Sequence, residues 1–324
     1  MIEIVAQSEA MREVLRVAER AAASDANILV TGESGAGKDA LALYLHSRSH
    51  RATQPFIKID CATLPSELLE AELFGHERGA FTGAGDARPG RIEAAHKGTL
   101  VLDEIAHLTR DAQAKLLRVI ERREFERLGG RRTIRVDARL IALTNVDLEA
   151  AVVRRSFRED LYYRLNVVHI HVPPLRHRHE DLPKIARDLL KTYAAKHGRR
   201  VSGISSETLV VLKSYDFPGN VRELANTIER AVVIAAGARI EAEDLPEALR
   251  MAVMTKEQAK RRRTLAEVEA DYIRETLAAA RGNKSEAARV LGISRKNLYE
   301  KLARYKAGSI EGMRDEGGGM NKNE

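Results

Sequence analysis

The chain of 324 residues has no tryptophan, one cysteine and only 4% aromatic residues. A single cysteine excludes an internal disulfide. Cys61, set in the run FIKIDCATL, reads as a buried structural thiol rather than a nucleophile. No apolar run approaches the roughly 18 residues of a membrane span. The opening MIEIVAQSEA lacks the basic and apolar regions of a signal peptide, so a cytoplasmic protein without membrane contact is expected. Internal repeats are lacking as well.

What is present is 44% hydrophobic and 31% charged residues rich in helix formers, a balance that predicts a helix-rich globular protein of two or three domains. The net charge of +7 is unevenly placed. Residues 251–306 carry 14 Lys/Arg against 7 Asp/Glu, whereas residues 1–250 carry 38 against 36. The basic excess therefore belongs to the C-terminal end and points to a nucleic-acid partner there.

From Ser8, apolar residues at Met11, Val14, Leu15, Ala18 and Ala21 recur at helical spacing, and the β-rich run Ile28–Thr31 leads into a glycine-rich loop. Short apolar runs at Phe56–Ile59, Thr99–Leu102, Arg139–Leu143 and Val167–Val172 alternate with helical patterns. That alternation predicts an α/β domain with a parallel sheet over residues 1–172. After Pro173-Pro174 helical patterns take over, at Ile185–Lys196, Ser205–Ser214 and Val221–Ile234, giving an all-helical lid over 173–240. A polar linker is expected at 241–263, then a helical unit at 264–306 and a disordered tail at 307–324 ending in GGGMNKNE.

The segment Gly32-Glu33-Ser34-Gly35-Ala36-Gly37-Lys38 fits the phosphate-loop pattern: glycines let backbone N–H groups curl around phosphates, and the lysine neutralises the outer ones. A strand precedes it and a helix follows, so it is expected to bind ATP. Asp39 stands where the general motif carries a magnesium-ligating Ser or Thr. The apolar strand Leu100-Val101-Leu102 ends in Asp103-Glu104, a pair in which Asp103 is expected to hold Mg2+ and Glu104 to orient or deprotonate the attacking water. Arg158 and Arg164 are candidates for fingers contributed by a neighbouring subunit. On local pattern alone the stronger reading is that they are ordinary surface arginines of an amphipathic helix.

The stretch from Glu72 to Ala84, with Gly79-Ala80-Phe81-Thr82-Gly83-Ala84 as its specific part, closely resembles the signature of the sigma-54-dependent activators, a branch of the AAA+ ATPases. Similar segments follow in order: GGRRTIRVDARLIALTN at 129–145, FREDLYYRLNV at 157–167, PPLRHRHEDLP at 173–183 and FPGNVRELAN at 217–226. The resemblance covers nearly the whole chain. It implies an AAA+ sheet with a helical lid, and dimers assembling to a hexameric ring in which Arg158 and Arg164 act across subunits. Thr144 and Asn145 would sense the γ-phosphate, Arg222 would reach the nucleotide from the lid, and the loop 79–84 would touch the sigma factor of RNA polymerase. A phenylalanine between Gly79 and Gly83 also suits a mobile contact. The family commonly carries glutamate where this chain has Asp39 and asparagine where it has Asp60, a residue proposed to switch the hydrolytic glutamate. His169, His171, His177 and His179 fall in segments that the resemblance explains without a metal.

At the C-terminal end, Leu265, Val268, Tyr272, Thr276 and Leu277 share one helical face, followed by Asn283–Leu291, the turn Gly292-Ile293 and a helix from Ser294. Ala287, Ala288, Ile293, Leu298 and Leu302 form the expected core of a helix-turn-helix. Ser294, Arg295, Lys296, Asn297 and Lys301 are the expected DNA contacts, where the second helix enters the groove. The unit resembles the Fis-type domain of the same activators. The alternative is a helical hairpin used only for dimerisation.

The function expected is an ATPase that binds enhancer-like double-stranded DNA and opens the closed complex of sigma-54 RNA polymerase. Its rivals are an AAA+ DNA-binding regulator or repressor that does not remodel sigma-54, and a replication initiator or helicase loader. Because the nucleotide domain begins at about Ile4, control by a separate regulatory protein or by expression level is expected, or else the chain is a truncated form of a longer regulator.

Overall fold

The computed structural model describes residues 4–80, 85–260, 265–280 and 282–311. The chain divides into two compact units, Met1–Val253 and Met254–Glu324.

The first unit opens with helix α1 (Glu9–Ala22), whose N-cap Ser8 accepts from the Met11 amide. Strand β1 (Ile28–Thr31) feeds helix α2 (Lys38–Ser47), and β2 (Phe56–Asp60), β3 (Thr99–Asp103), β4 (Arg139–Thr144) and β5 (Val168–His171) complete a parallel sheet in the order β2-β3-β4-β1-β5. The central strands are buried on both faces because successive side chains alternate sides. Leu100, Leu102, Leu140 and Ala142 enter one core with Phe74, Ile105 and Leu161. Val101, Ile141 and Leu143 enter the other with Val14, Ala18, Leu41 and Leu45. The strands end together, so Thr31, Asp60, Asp103 and Thr144 finish along one rim, with Asp60 in register with Asp103 and Thr31 with Thr144.

Arg139 opens β4 at 1% exposure and serves as a cap rather than a surface charge. Its guanidinium donates to Ala21 O at 2.8 Å and Ala22 O at 3.1 Å, placing a positive charge at the C-terminal end of α1. Cys61 is 2% exposed in the first core, and burial pushes its thiol up to about 12.

The lid consists of α3 (Leu182–Lys196), α4 (Ser206–Ser214), α5 (Asn220–Ile234) and α6 (Glu247–Lys260). It is not all-helical, contrary to the sequence expectation: Gly203–Ile204 pairs in parallel with Arg239–Ile240, two-residue strands too short to show a period-2 pattern. Leu182, Leu190, Leu212, Phe217, Leu224, Ile228 and Val232 form its core. The sequence reading needs correction at 241–263: this segment is not a linker through most of its length. Leu245, Leu249 and Val253 are buried in the lid core, and Pro246 immediately precedes the first residue of α6. Three apolar residues spaced by four among Glu241, Glu243, Asp244, Glu247 and Arg250 form a helical stripe that average polarity conceals, and the proline marks a helix start. Residues 261–263 lie outside the described ones.

In the second unit, α7 (Leu265–Ala279), α8 (Lys284–Val290) and α9 (Arg295–Glu311) surround a core of Ile273, Ala287, Ala288 and Leu298, with Leu277, Leu291, Ile293 and Leu302 against it. Here too the expected face shifts. Val268 and Tyr272 are exposed, while Ala270, Ile273 and Thr276 turn inward. The inward face lies against the two alanines of α8, which admit a close approach. The final helix runs to Glu311, past the expected start of a tail at 307, and residues 312–324 lie outside the described ones.

Candidate functional site

The phosphate loop lies between β1 and α2, its turns set by positive φ at Gly32, Gly35 and Gly37. Gly35 is also required by space: a Cβ there would meet Gly219 O at 2.4 Å. Lys38 begins α2 and is 6% exposed, its ammonium donating to Gly32 O at 2.9 Å and Glu33 O at 3.2 Å. Burial lowers its pKa, opposed by the charges of Glu104, Asp103 and Asp39. The charges of these three carboxylates thus act on one lysine. A cleft lined by Thr31, Gly32, Glu33, Asn145, His169 and His171 opens beside the loop, with an accessible volume of about 440 Å3.

Asp103 closes β3 and accepts from the Glu104 amide at 3.0 Å. Glu104 holds the left-handed conformation (φ 51°, ψ 48°), unfavourable for a residue with a side chain and found where geometry serves a site. Its Oε2 accepts from the Asn145 amide at 3.4 Å. Asp60 is engaged locally, accepting from the Ala62 amide at 2.9 Å. Thr144 is fully buried, and its hydroxyl accepts from the Val146 amide at 3.0 Å, so it shapes the turn while Asn145 is exposed.

Lys58, on β2, was not among the sequence-predicted site residues. Its ammonium bonds Asp103 at 2.8 Å and also bonds Asp39. Asp39 and Asp103 thus converge on one cation beside Lys38, and this pair of hard oxygen donors fits a divalent ion of the magnesium type.

The lid reaches the loop through several groups. Arg222 Nη1 donates to Ser34 Oγ at 2.7 Å, and the Val221 amide to Gly35 O at 3.0 Å. Arg176 forks onto both oxygens of Glu33 at 2.8 and 2.5 Å, and its guanidinium, with Asn220, lowers the Glu33 carboxyl to about 2. Asn220 is fully buried with φ +54°. Its amide donates to Glu33 at 3.0 Å and Ser34 O at 3.1 Å, while its Oδ1 accepts from the Leu175 amide at 2.8 Å. Sequence reasoning missed Arg176 and Asn220. The signal was present in PGN, since asparagine is the side-chain-bearing residue that best tolerates a left-handed turn. At the other edge of the lid, Asp181 accepts from the Gln7 amide at 2.5 Å, the Ser8 amide at 2.7 Å and Ser8 Oγ at 2.8 Å.

Arg158 and Arg164 are not brought to this loop within the chain. Arg158 forks onto Asp160 at 3.0 and 2.7 Å, and Arg164 bonds Glu121 at 2.9 Å with its side chain 61% exposed. His169 and His171 both approach Thr31 Oγ1, at 2.8 and 3.1 Å. Of the expected sigma-factor loop, Gly79 and Ala80 are described, with the Ala80 amide donating to Glu77 O at 3.2 Å. Phe81, Thr82, Gly83 and Ala84 lie outside the described residues. The base of that loop is tied to residues 124–135: the Glu77 amide donates to Leu128 O, and the Leu128 amide to Gly75 O, both at 3.0 Å.

In the second unit Ser294 caps α9, its hydroxyl accepting from the Asn297 amide at 3.1 Å. Arg295, Lys296 and Asn297 are exposed on the first turn. Lys301 departs from that set, because it is largely covered and pairs with Glu269 at 2.6 Å.

Comparison with known proteins settles the family. The Sigma-54 interaction domain matches residues 4–171, the AAA+ ATPase lid domain 176–262, and the Fis family of bacterial regulatory proteins 264–305. The chain belongs to the sigma-54-dependent transcriptional regulators. It is 46% identical over 310 residues to regulatory protein AtoC of Escherichia coli, covering 93% of this chain and 67% of that protein. It is 44% identical over 331 residues to transcriptional regulatory protein FlbD of Caulobacter vibrioides, covering 97% and 73%. The crystal structure of NtrX from Brucella abortus in complex with ADP superposes with a TM-score of 0.70 at 34% identity, over 94% of this chain and 69% of that one. The lid match runs to residue 262, agreeing with the burial of Leu245, Leu249 and Val253 in this sigma-54-dependent regulator. Its fold is the expected AAA+ parallel sheet with a helical lid and a C-terminal helix-turn-helix.

Proposed function

We propose that this regulator hydrolyses ATP and uses the cycle to convert the closed complex of sigma-54 RNA polymerase to the open one while held on enhancer-like DNA by its C-terminal unit. The observation that carries the reading is the meeting of Lys38, Asp103, Glu104 and the lid's Arg222 around one phosphate loop, in a chain bearing an intact GAFTGA segment. NtrX, the structural relative, has been seen with ADP and with ATP, which supports the same ligand here.

In this reading the amides of Gly35, Ala36 and Gly37 cradle the phosphates at the start of α2, where anions are favoured. Lys38 turns from its own loop carbonyls to the outer phosphates. Asp103, with Asp39 close by, would hold a Mg2+ ion, which when bound would neutralise phosphate charge. Glu104, fixed by its left-handed backbone, orients water for in-line attack and accepts its proton, while Asn145 stands at the adjacent rim. Arg222 senses the nucleotide through Ser34. Arg158, half-buried, and Arg164, exposed, act on the nucleotide of the next subunit in a ring. The loop 79–84, with Phe81 and Thr82 at its centre, contacts the sigma factor. Arg295, Lys296 and Asn297 read the DNA groove, as expected where a recognition helix begins. The protein works in the cytoplasm, where its DNA and polymerase partners are.

The test is conversion of a sigma-54 polymerase closed complex to a heparin-resistant open complex by the purified protein with hydrolysable ATP. Loss of conversion in both Thr82→Ala and Glu104→Gln is expected. Hydrolysis without opening would leave the ATPase reading standing and refute the remodelling one, in favour of a regulator that does not act on sigma-54.

A further inference from the structure

Lys58 stands where the proposed metal chemistry would occur, though no phosphate-loop pattern calls for it. It lies on β2 with Val101 as its register partner, and its ammonium bonds the carboxylates of both Asp39, in the first turn of α2, and Asp103, at the end of β3. Asp103 is only 14% exposed, so this contact lies inside the rim and is less screened than an ordinary surface pair. Two carboxylates converging at one point repel unless a cation lies between them. In this structure that cation is covalently part of the chain.

We infer that Lys58 is the resident counter-ion of the metal position, holding Asp39 and Asp103 together without nucleotide and making divalent-cation binding conditional on nucleotide phosphates. The inference rests on the ATP and Mg2+ reading above. The charge balance explains the condition. Asp39, Asp103 and Glu104 contribute three negative charges around Lys38, while Lys38, Lys58 and Arg222 contribute three positive ones. A divalent cation entering this near-neutral cluster alone must displace an ammonium and leave an excess of positive charge. Nucleotide phosphates supply the missing negative charge. The four-carbon stem of a half-exposed lysine lets the ammonium withdraw without moving the strand. Lys58 is therefore a positioning residue that sets the order of loading, nucleotide with or before metal.

The test uses the full chain and Mn2+ as the probe, its binding read by loss of the free-ion electron paramagnetic resonance signal, with and without ADP. Wild type is expected to bind Mn2+ weakly at this site without nucleotide. Lys58→Met is expected to bind it at least about tenfold more tightly, because one adjacent positive charge is gone. Lys58→Arg should behave as wild type, and saturating ADP should bring wild type and Lys58→Met within about threefold, as the phosphates then dominate the local charge. Asp103→Asn in the Lys58→Met background assigns the signal by abolishing it, and circular dichroism verifies the fold of each variant. Equal or weaker Mn2+ binding by folded Lys58→Met without nucleotide overturns the inference while ADP binding by wild type keeps the nucleotide reading. Failure of wild type to bind ADP in equilibrium dialysis refutes the nucleotide reading and the inference together.

Discussion

The phosphate-loop unit and the C-terminal unit place their candidate functional residues in opposite ways. In the first, Lys38 and Asn220 are nearly or fully buried, and loop, sheet rim and lid are laced together by charged groups distant in sequence. In the second, Arg295, Lys296 and Asn297 are exposed on a single turn, and a core built around Ile273, Ala287, Ala288 and Leu298 holds that turn in place. Chemistry on a phosphate needs groups fixed from several directions and shielded from water, whereas contact with a duplex needs donors projecting from a rigid helix. The contrast teaches that damage should stay local: a change in one unit alters its own activity and leaves the other's intact.

The sharpest way to break this separation is Glu104→Gln. It should lower ATP hydrolysis by about 10²–10⁴-fold, the usual contribution of a positioned base, while ADP and DNA binding stay unchanged. Phosphate release and DNA mobility shift measured on the same preparation check both halves. Next in size, Leu298→Ala removes a fully buried side chain from the small core, at an expected cost of about 2–5 kcal/mol. Helical circular dichroism should fall and DNA binding disappear, with ADP binding retained. Arg295→Ala should weaken specific DNA binding by about 1–3 kcal/mol if it reads a base edge, leaving hydrolysis unaltered. A reduced salt slope with equal losses on all sequences would instead make it a phosphate contact.

A gentler probe is acidification. The Glu33 carboxyl is held at about 2 rather than its ordinary 4.5, so its lid–loop link is complete above about 4.5 and is lost as the pH falls toward 2. Glu33→Gln should remove this part of the pH dependence of unfolding, followed by denaturant titration in that window, and leave the C-terminal unit's DNA binding at pH 7 unaffected. The smallest effect concerns the closed interior of the first unit. With its thiol raised to about 12 by burial, Cys61 stays protonated at pH 8 and should react with a thiol reagent far more slowly than a free cysteine. Fast labelling that spares hydrolysis would show that this core opens.

Local patterns were legible wherever neighbours in sequence suffice. The phosphate loop, the strand ending in Asp103-Glu104 and the turn at Gly292 each depend on a few adjacent residues, and each stands where the chain's own spacing puts it. The segment 241–263 misled because three apolar residues among acids look like a linker until a lid core is available to receive them. Val268 and Tyr272 misled for the related reason that helical spacing defines a stripe but not which of two adjacent stripes finds a partner.

The sequence by itself therefore determined the order of strands and helices, the phosphate-binding loop, the acidic strand end and the basic C-terminal helix, because periodicity, glycine placement and charge are local properties. Only the tertiary structure decided that Arg176 and Asn220 clamp Glu33, that Arg139 caps α1, and that Lys58 bridges Asp39 and Asp103. These contacts join residues 19 to 187 positions apart, and no local pattern specifies which charged side chain meets which until the sheet has aligned its strand ends along one rim.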